Sequence, residues 1–239
     1  MQLSSKTLIR FINLNLKLVS TIIILSIFTF NTQKGFSQKT FQGTLEYKIE
    51  MTGGMAEMMA GMMPEKYIFE VLKSDYLLYM QGGLVSDMMG KVLYLDKTGE
   101  AFIIKDSDST IYTIDLTQQA TPQTTVTATD ETKEIMGYTC KKYNVISVVD
   151  DIATTQYVWA NEKYMLPKVK NSQGLNMNST FYFDGINGMP MRTEIEVEGM
   201  LISMELINID TKKPSKTHFT LPKDYTVKPF DANTFMTGE

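Results

Sequence analysis

The amino-acid sequence predicts a mainly β protein, a curved antiparallel half-barrel of about 10 to 12 strands with one or two short lid helices. Three observations predict it. Apolar residues alternate with period two along most of the chain, as in strands with one covered and one wet face. Turn chemistry breaks that alternation at short intervals, and no window of 11 or more residues sustains helical spacing without a proline or glycine. A sheet of that width normally curls or closes. With two short helices at most to cover its apolar face, a half-barrel clasping its own loops is the economical arrangement.

The chain opens with an apolar or hydroxyl run of about 13 residues, Leu18 to Phe30, preceded by Lys6, Arg10 and Lys17 and followed by Gly35-Phe36-Ser37. This reads as a secretory signal peptide over residues 1–37, because the run falls short of the roughly 20 residues that cross a bilayer as a helix. Residues 38–239 then form a single domain outside the cytoplasm. Cleavage after Ser37 removes four cations (Lys6, Arg10, Lys17, Lys34) and no acid from 23 basic and 27 acidic groups. The remaining 19 and 27 give a formal charge of minus 8, which argues against nucleic acid as a partner and limits membrane association to a peripheral one. No cysteine follows the apolar run, so there is no site for a thioether lipid anchor.

The mature chain begins with the cleanest amphipathic strand, Phe41 to Met51, in which Leu45, Tyr47, Ile49 and Met51 share one face and Glu46, Lys48 and Glu50 the other. Further strands are expected at Lys66 to Leu72, Tyr76 to Met80, Val92 to Leu95, Ala101 to Lys105, Thr110 to Leu116, Tyr138 to Val148, Thr154 to Ala160 and Ser179 to Phe183. Lys97-Thr98-Gly99, Asp106-Ser107-Asp108-Ser109 and Asp150-Asp151 reverse the chain between them. Thr117 to Glu134 is polar and contains Pro122, and reads as a long connection between two meanders. The hairpin Met189 to Ile209, folded about Glu198-Gly199, sets Val197 against Met200, Ile195 against Ile202, Thr193 against Met204 and Arg192 against Glu205. A slip of one residue would drive glutamates into the core.

Two short helices are expected. Met55, Met58, Met59, Met62 and Met63 recur at helical spacing between Gly53-Gly54 and Pro64, and Leu84 to Met89 is the second candidate. The methionines have three readings: core or lid packing, a pliable wall for an irregular apolar guest, and a thioether site for Cu(I). Asp106-Ser107-Asp108-Ser109 lacks the glycine and the bidentate acid of a calcium loop and reads as a turn. Asn178-Ser179-Thr180 matches a glycosylation sequon at the start of an expected strand. The single cysteine, Cys140, forms no internal disulfide and reads as a small buried hydrophobe. The single histidine, His218, sits in a tract that reads as surface. Motifs of hydrolases, zinc proteases and phosphate loops are lacking, and the paired carboxylates lie on wet faces or turns. An enzyme is therefore not expected, nor a cofactor.

Four tracts carry a family resemblance: Phe41-Gln42-Gly43-Thr44-Leu45-Glu46-Tyr47, Met58-Met59-Ala60-Gly61-Met62-Met63-Pro64, Gly137-Tyr138-Thr139-Cys140-Lys141-Lys142-Tyr143 and Phe219-Thr220-Leu221-Pro222-Lys223-Asp224-Tyr225. In order and spacing they resemble an uncharacterised family of exported bacterial proteins, domain of unknown function 4412. That family is similar to the periplasmic carriers of outer-membrane lipoproteins, which implies an open half-barrel over an apolar cavity and no particular gripping residue. The expectation is a non-enzymatic periplasmic or outer-membrane-associated protein whose cavity binds an acyl chain or a lipidated protein. Met55, Met58, Met59, Met62 and Met63 form its lid, while Tyr47, Met191, Ile195, Ile202 and Met204 line its floor. The alternatives are a structural or interaction module of the envelope and a Cu(I)-binding protein.

Overall fold

The structure is a computed structural model, describing residues 38–54, 56, 58–59, 61–116, 123–149, 151–167, 183–197 and 199–231. Residues 1–37, which carry the expected leader, Met55, the sequon at 178–180 and residues 179–182 of an expected strand lie outside the described residues.

The described strands run in chain order as β1 (Lys39–Thr40), β2 (Gly43–Thr52), β3 (Lys66–Leu72), β4 (Asp75–Gln81), β5 (Lys91–Leu95), β6 (Glu100–Lys105), β7 (Thr110–Ile114), β8 (Gln123–Ile135), β9 (Tyr138–Val149), β10 (Ile152–Asn161), β11 (Tyr164–Met165), β12 (Met189–Val197), β13 (Met200–Asp210) and β14 (Thr226–Pro229). A helix, α1 (Gly83–Met89), joins β4 to β5, and a 3-10 turn spans Lys216–Phe219. Twelve strands form one sheet in the order β14-β7-β6-β5-β4-β3-β2-β13-β12-β10-β9-β8. Every neighbouring pair is antiparallel except β14 with β7, and the end strands β14 and β8 do not pair, so the sheet is open.

The long hairpin adopts the register that its chemistry dictates. Val197 pairs with Met200, Ile195 with Ile202, Thr193 with Met204 and Arg192 with Glu205. Arg192 also bridges to Glu194 at 2.7 Å, so the charged face satisfies itself while the other face stays apolar. Beside it Met51 pairs with Ile202 and Ile49 with Met204, and Tyr47 pairs with Tyr67, which extends the same apolar face across β2 and β3.

Three expectations are corrected. The stretch 117–134 is not one long connection, since β8 occupies Gln123–Ile135 and pairs with β9. Edge strand β8 is wet on both sides, so threonine rather than apolar alternation fills it and no periodic signal betrays it; its β-branched content is the remaining clue. The methionine segment does not form a two-turn helix among its described residues. Met59 O accepts from the N–H groups of Met62 and Met63, which is a single turn, and Gly61 at φ +80° breaks helical continuity. The third correction concerns the face expected to be wet. Leu77, Leu93, Phe102, Ile104 and Ile111 on that face are buried beneath Phe219 and form a second core, because residues 216–225 cross back over β4 to β7. The helix at Gly83–Met89 and the turns at 96–99 and 106–109 stand where expected.

Cys140 is fully buried, and burial pushes its thiol up to about 11. A thiol reagent at pH 8 is expected to leave it untouched in the folded protein and to titrate one equivalent in denaturant. Rapid native labelling would place it in a solvent-accessible opening instead.

Candidate functional site

The main core lies on the face that carries Leu45, Tyr47, Phe69, Val71, Tyr76 and Tyr94. Its burial is graded along the strands. Toward one end Leu45, Tyr47, Met191 and Leu206 are within 1% of full burial, because a two-residue parallel ladder of β1 with β11 lies across them. Phe41 meets Tyr164 edge to face at 5.7 Å, and the Phe41 N–H donates to Met165 O at 2.8 Å. The Tyr76 hydroxyl donates to Pro167 O, just beyond β11, and so ties this cover to the sheet, while the Tyr47 hydroxyl donates to Pro190 O on β12 at 2.9 Å and joins two strands of the sheet itself. Burial holds the Tyr47 and Tyr67 phenols protonated by raising both pKa values.

Toward the other end the same face opens. Ile49, Met51, Tyr67, Met80, Ile195, Ile202 and Met204 are all half-buried. Their register makes them contiguous: Ile195, Ile202 and Met51 stand in one row, Met204 and Ile49 in the next, and Tyr67 with Met80 beside Tyr47. Aliphatic, thioether and phenol groups make up this part of the face. They solvate hydrocarbon and supply no nucleophile, base or ligating charge.

The end of the sheet beside these residues gathers α1 and the described residues of the turn segment between β2 and β3. The Val85 N–H donates to Met62 O at 3.0 Å, which fastens the helix to the methionine turn. Both elements then point apolar groups at water: Met58 is 79% exposed, Met62 50%, Leu84 67% and Met88 50%. Leu84 and Met88 stand four apart on α1 and share a face, yet that face is turned outward while Ser86 is buried. A run of solvent-facing thioethers is unusual, since contiguous apolar surface normally marks a binding site.

Of the sequence-predicted residues, Ile195, Ile202 and Met204 belong to the half-buried part of the face, and Met58, Met59, Met62 and Met63 to the turn segment that follows β2. Tyr47 and Met191 lie beneath the cover of β1 and β11 and form core rather than open floor. Sequence reasoning omitted Ile49, Met51, Tyr67 and Met80 from the site, although period two already put Ile49 and Met51 on the face of Tyr47. It missed Leu84, Met88 and Met89 as border residues, for seven residues are too few to show which face of a helix is outward.

Among the described residues no helix is long and apolar enough to cross a membrane. No curated protein matches the chain. Among solved structures it is similar to lipoprotein LppX of Mycobacterium tuberculosis, at 10% identity over 73% of this chain and 89% of that one, with a TM-score of 0.34. It is similar also to LprF from Mycobacterium bovis, at 9% identity over 77% and 90%, with a TM-score of 0.32. The family model described as a domain of unknown function, DUF4412, matches residues 41–225, from just before β2 to the threshold of β14, and the chain belongs to that family.

Proposed function

We propose that the protein is an exported, non-enzymatic binder of an apolar ligand, an acyl chain or the lipid of a lipidated protein. The ligand lies in the trough over Ile49, Met51, Ile195, Ile202 and Met204 and enters past the methionine turn and α1. One observation carries the reading: a contiguous row of only partly buried apolar side chains meets a border whose methionines and leucine face water. Each methylene moved from water into such a trough contributes roughly 0.8 kcal/mol, so a partly seated acyl chain supplies enough to bind. Thioethers suit the border because unbranched, polarizable side chains repack around guests of irregular shape. The leader-like segment before Gln38 supports a site of action outside the cytoplasm.

Mass spectrometry of the purified mature protein tests the reading by searching for co-extracted lipid, and a fluorescent fatty acid supplies the affinity. Stoichiometric lipid, or displaceable micromolar probe binding, is expected. Neither being found would leave the structural envelope module.

The outward thioethers also favour a second reading, Cu(I) binding by Met58, Met59, Met62 and Met63. Replacing all four by leucine keeps the hydrocarbon and removes the sulfur. Apolar-ligand binding is expected to change by less than about threefold, under about 0.7 kcal/mol. A wild-type Cu(I) affinity tighter than micromolar that this variant abolishes would establish the copper reading instead.

A further inference from the structure

The opposite face of the sheet holds a second concavity, built by the C-terminal crossing that forms the second core. Glu70 on β3 has a side chain only 7% exposed, and its Oε2 lies 2.7 Å from Nδ1 of His218, whose ring is half-exposed. The Tyr79 hydroxyl donates to Oε1 of Glu70 at 3.3 Å, and burial, then Glu70 itself, pushes that phenol up to about 12, so it remains a donor. Both carboxylate oxygens are thus engaged. Because Nδ1 is the ring nitrogen that meets the carboxylate, Nε2 is left as the polar atom that the ring presents.

His218 and Glu70 border a cleft of about 580 Å³ between the sheet and residues 217–222. Its apolar patch is Leu77, Ile104 and Pro222; its polar wall adds Gln81, Thr217 and Thr220. At the far side Lys91 bridges Asp106 at 2.7 Å, and the Tyr225 hydroxyl donates to the same carboxylate at 3.1 Å. The Glu70 carboxylate is thus hydrogen-bonded through both oxygens, and Lys91 and Asp106 form an ion pair, so each charged group in the lining is engaged within the protein, which disfavours an ionic guest. Donors and acceptors beside an apolar patch match a molecule with hydroxyls around its edge and C–H groups on its face. The volume lies within the range of small-molecule sites.

We propose that this cleft is a second ligand site, which takes a neutral polyhydroxylated molecule of the saccharide class and orients it through His218 Nε2. It is separate from the apolar trough, since Glu70 and Tyr79 face away from Phe69 and Leu78 on the same strands. Glu70 acts as a positioning residue through His218.

The test uses the mature protein with N-acetylglucosamine, its β-1,4-linked dimer and maltose at millimolar concentration. His218 is the chain's single histidine, so one imidazole signal in proton–carbon NMR reports the site without assignment. At least one sugar is expected to shift that signal saturably and to receive saturation transfer from the protein. His218→Gln is expected to weaken binding at least tenfold, and Glu70→Gln to weaken it with the imidazole signal displaced in the free protein. Thermal melting of both variants shows that they are folded, and fatty-acid probe binding in the trough is expected to be unchanged. Failure of all three sugars to move the histidine signal at 10 mM, or equal binding by folded His218→Gln, overturns the proposal.

Discussion

Ile202→Glu is expected to weaken fluorescent fatty-acid binding at least thirtyfold, which is about 2 kcal/mol, while lowering stability by only about 1 kcal/mol. The asymmetry follows from where Ile202 stands. It pairs with Ile195 on one side and Met51 on the other, in the middle of the open floor, and is itself half-buried. In the free protein a carboxylate there keeps much of its water. An acyl chain laid over it strips that water without supplying a hydrogen bond, so the penalty falls on the complex. Leu201→Glu is the control: the neighbouring residue faces the other way, is 38% exposed and pairs with Glu196, so probe affinity should be unchanged. Titration of the two variants with the probe, together with their thermal melts, makes the measurement. Equal losses in both would mean that the hairpin rather than the trough binds, and no loss in either would remove the trough.

The second large effect separates two uses of one residue type. Met191→Ala is expected to cost about 2–5 kcal/mol, and Met62→Ala less than about 0.5 kcal/mol. Met191 is 1% exposed and packs in the core beneath the β1 and β11 cover, so truncation leaves a cavity as well as losing the transfer energy of the side chain. Met62 is 50% exposed, and its structural tie is the backbone bond from Val85, which alanine retains. For a domain of this size the first loss lowers the melting temperature by roughly 5–20 °C and the second by about 1–2 °C. Under the proposed function the ranking inverts for ligand: Met62→Ala, combined with Met58→Ala and Met88→Ala, is expected to weaken probe binding severalfold. Chemical denaturation and probe titration on the same samples test both halves. A destabilised Met62→Ala would return that methionine to the core.

Both predictions rest on distinctions that composition blurs. Seventeen methionines follow residue 37, and although the sequence assigns Met62 to a lid and Met191 to a floor, it offers no reason to bury one of them and expose the other. What separates them is the cover formed by Phe41, Tyr164 and Leu166, drawn from opposite ends of β1 and β11 in the chain. Contacts between residues so far apart leave no local pattern. The same holds for Phe219 and Leu221, isolated apolar positions in a polar tract that close the second core and shape the cleft around His218. His218 accordingly reads as surface, which its half-exposed ring supports, while its buried partner Glu70 comes from a strand 148 residues away. The β8 strand escaped for the opposite reason: with both faces largely exposed up to the buried Ile135 at its end, nothing selects an apolar residue at alternate positions.

By itself the sequence determined the open antiparallel sheet, the bounds of most of its strands, the hairpin register from Arg192 to Glu205 and the apolar face that runs through Tyr47, Ile195, Ile202 and Met204. Those features follow from period-two burial and from cross-strand pairing, which operate between near neighbours and leave their pattern in the residues. Only the tertiary structure decided which part of that face is covered, which methionines turn to water and what His218 meets. Each of these depends on one distant segment coming to rest on another, and a side chain's accessibility is a property of that meeting rather than of its own place in the chain.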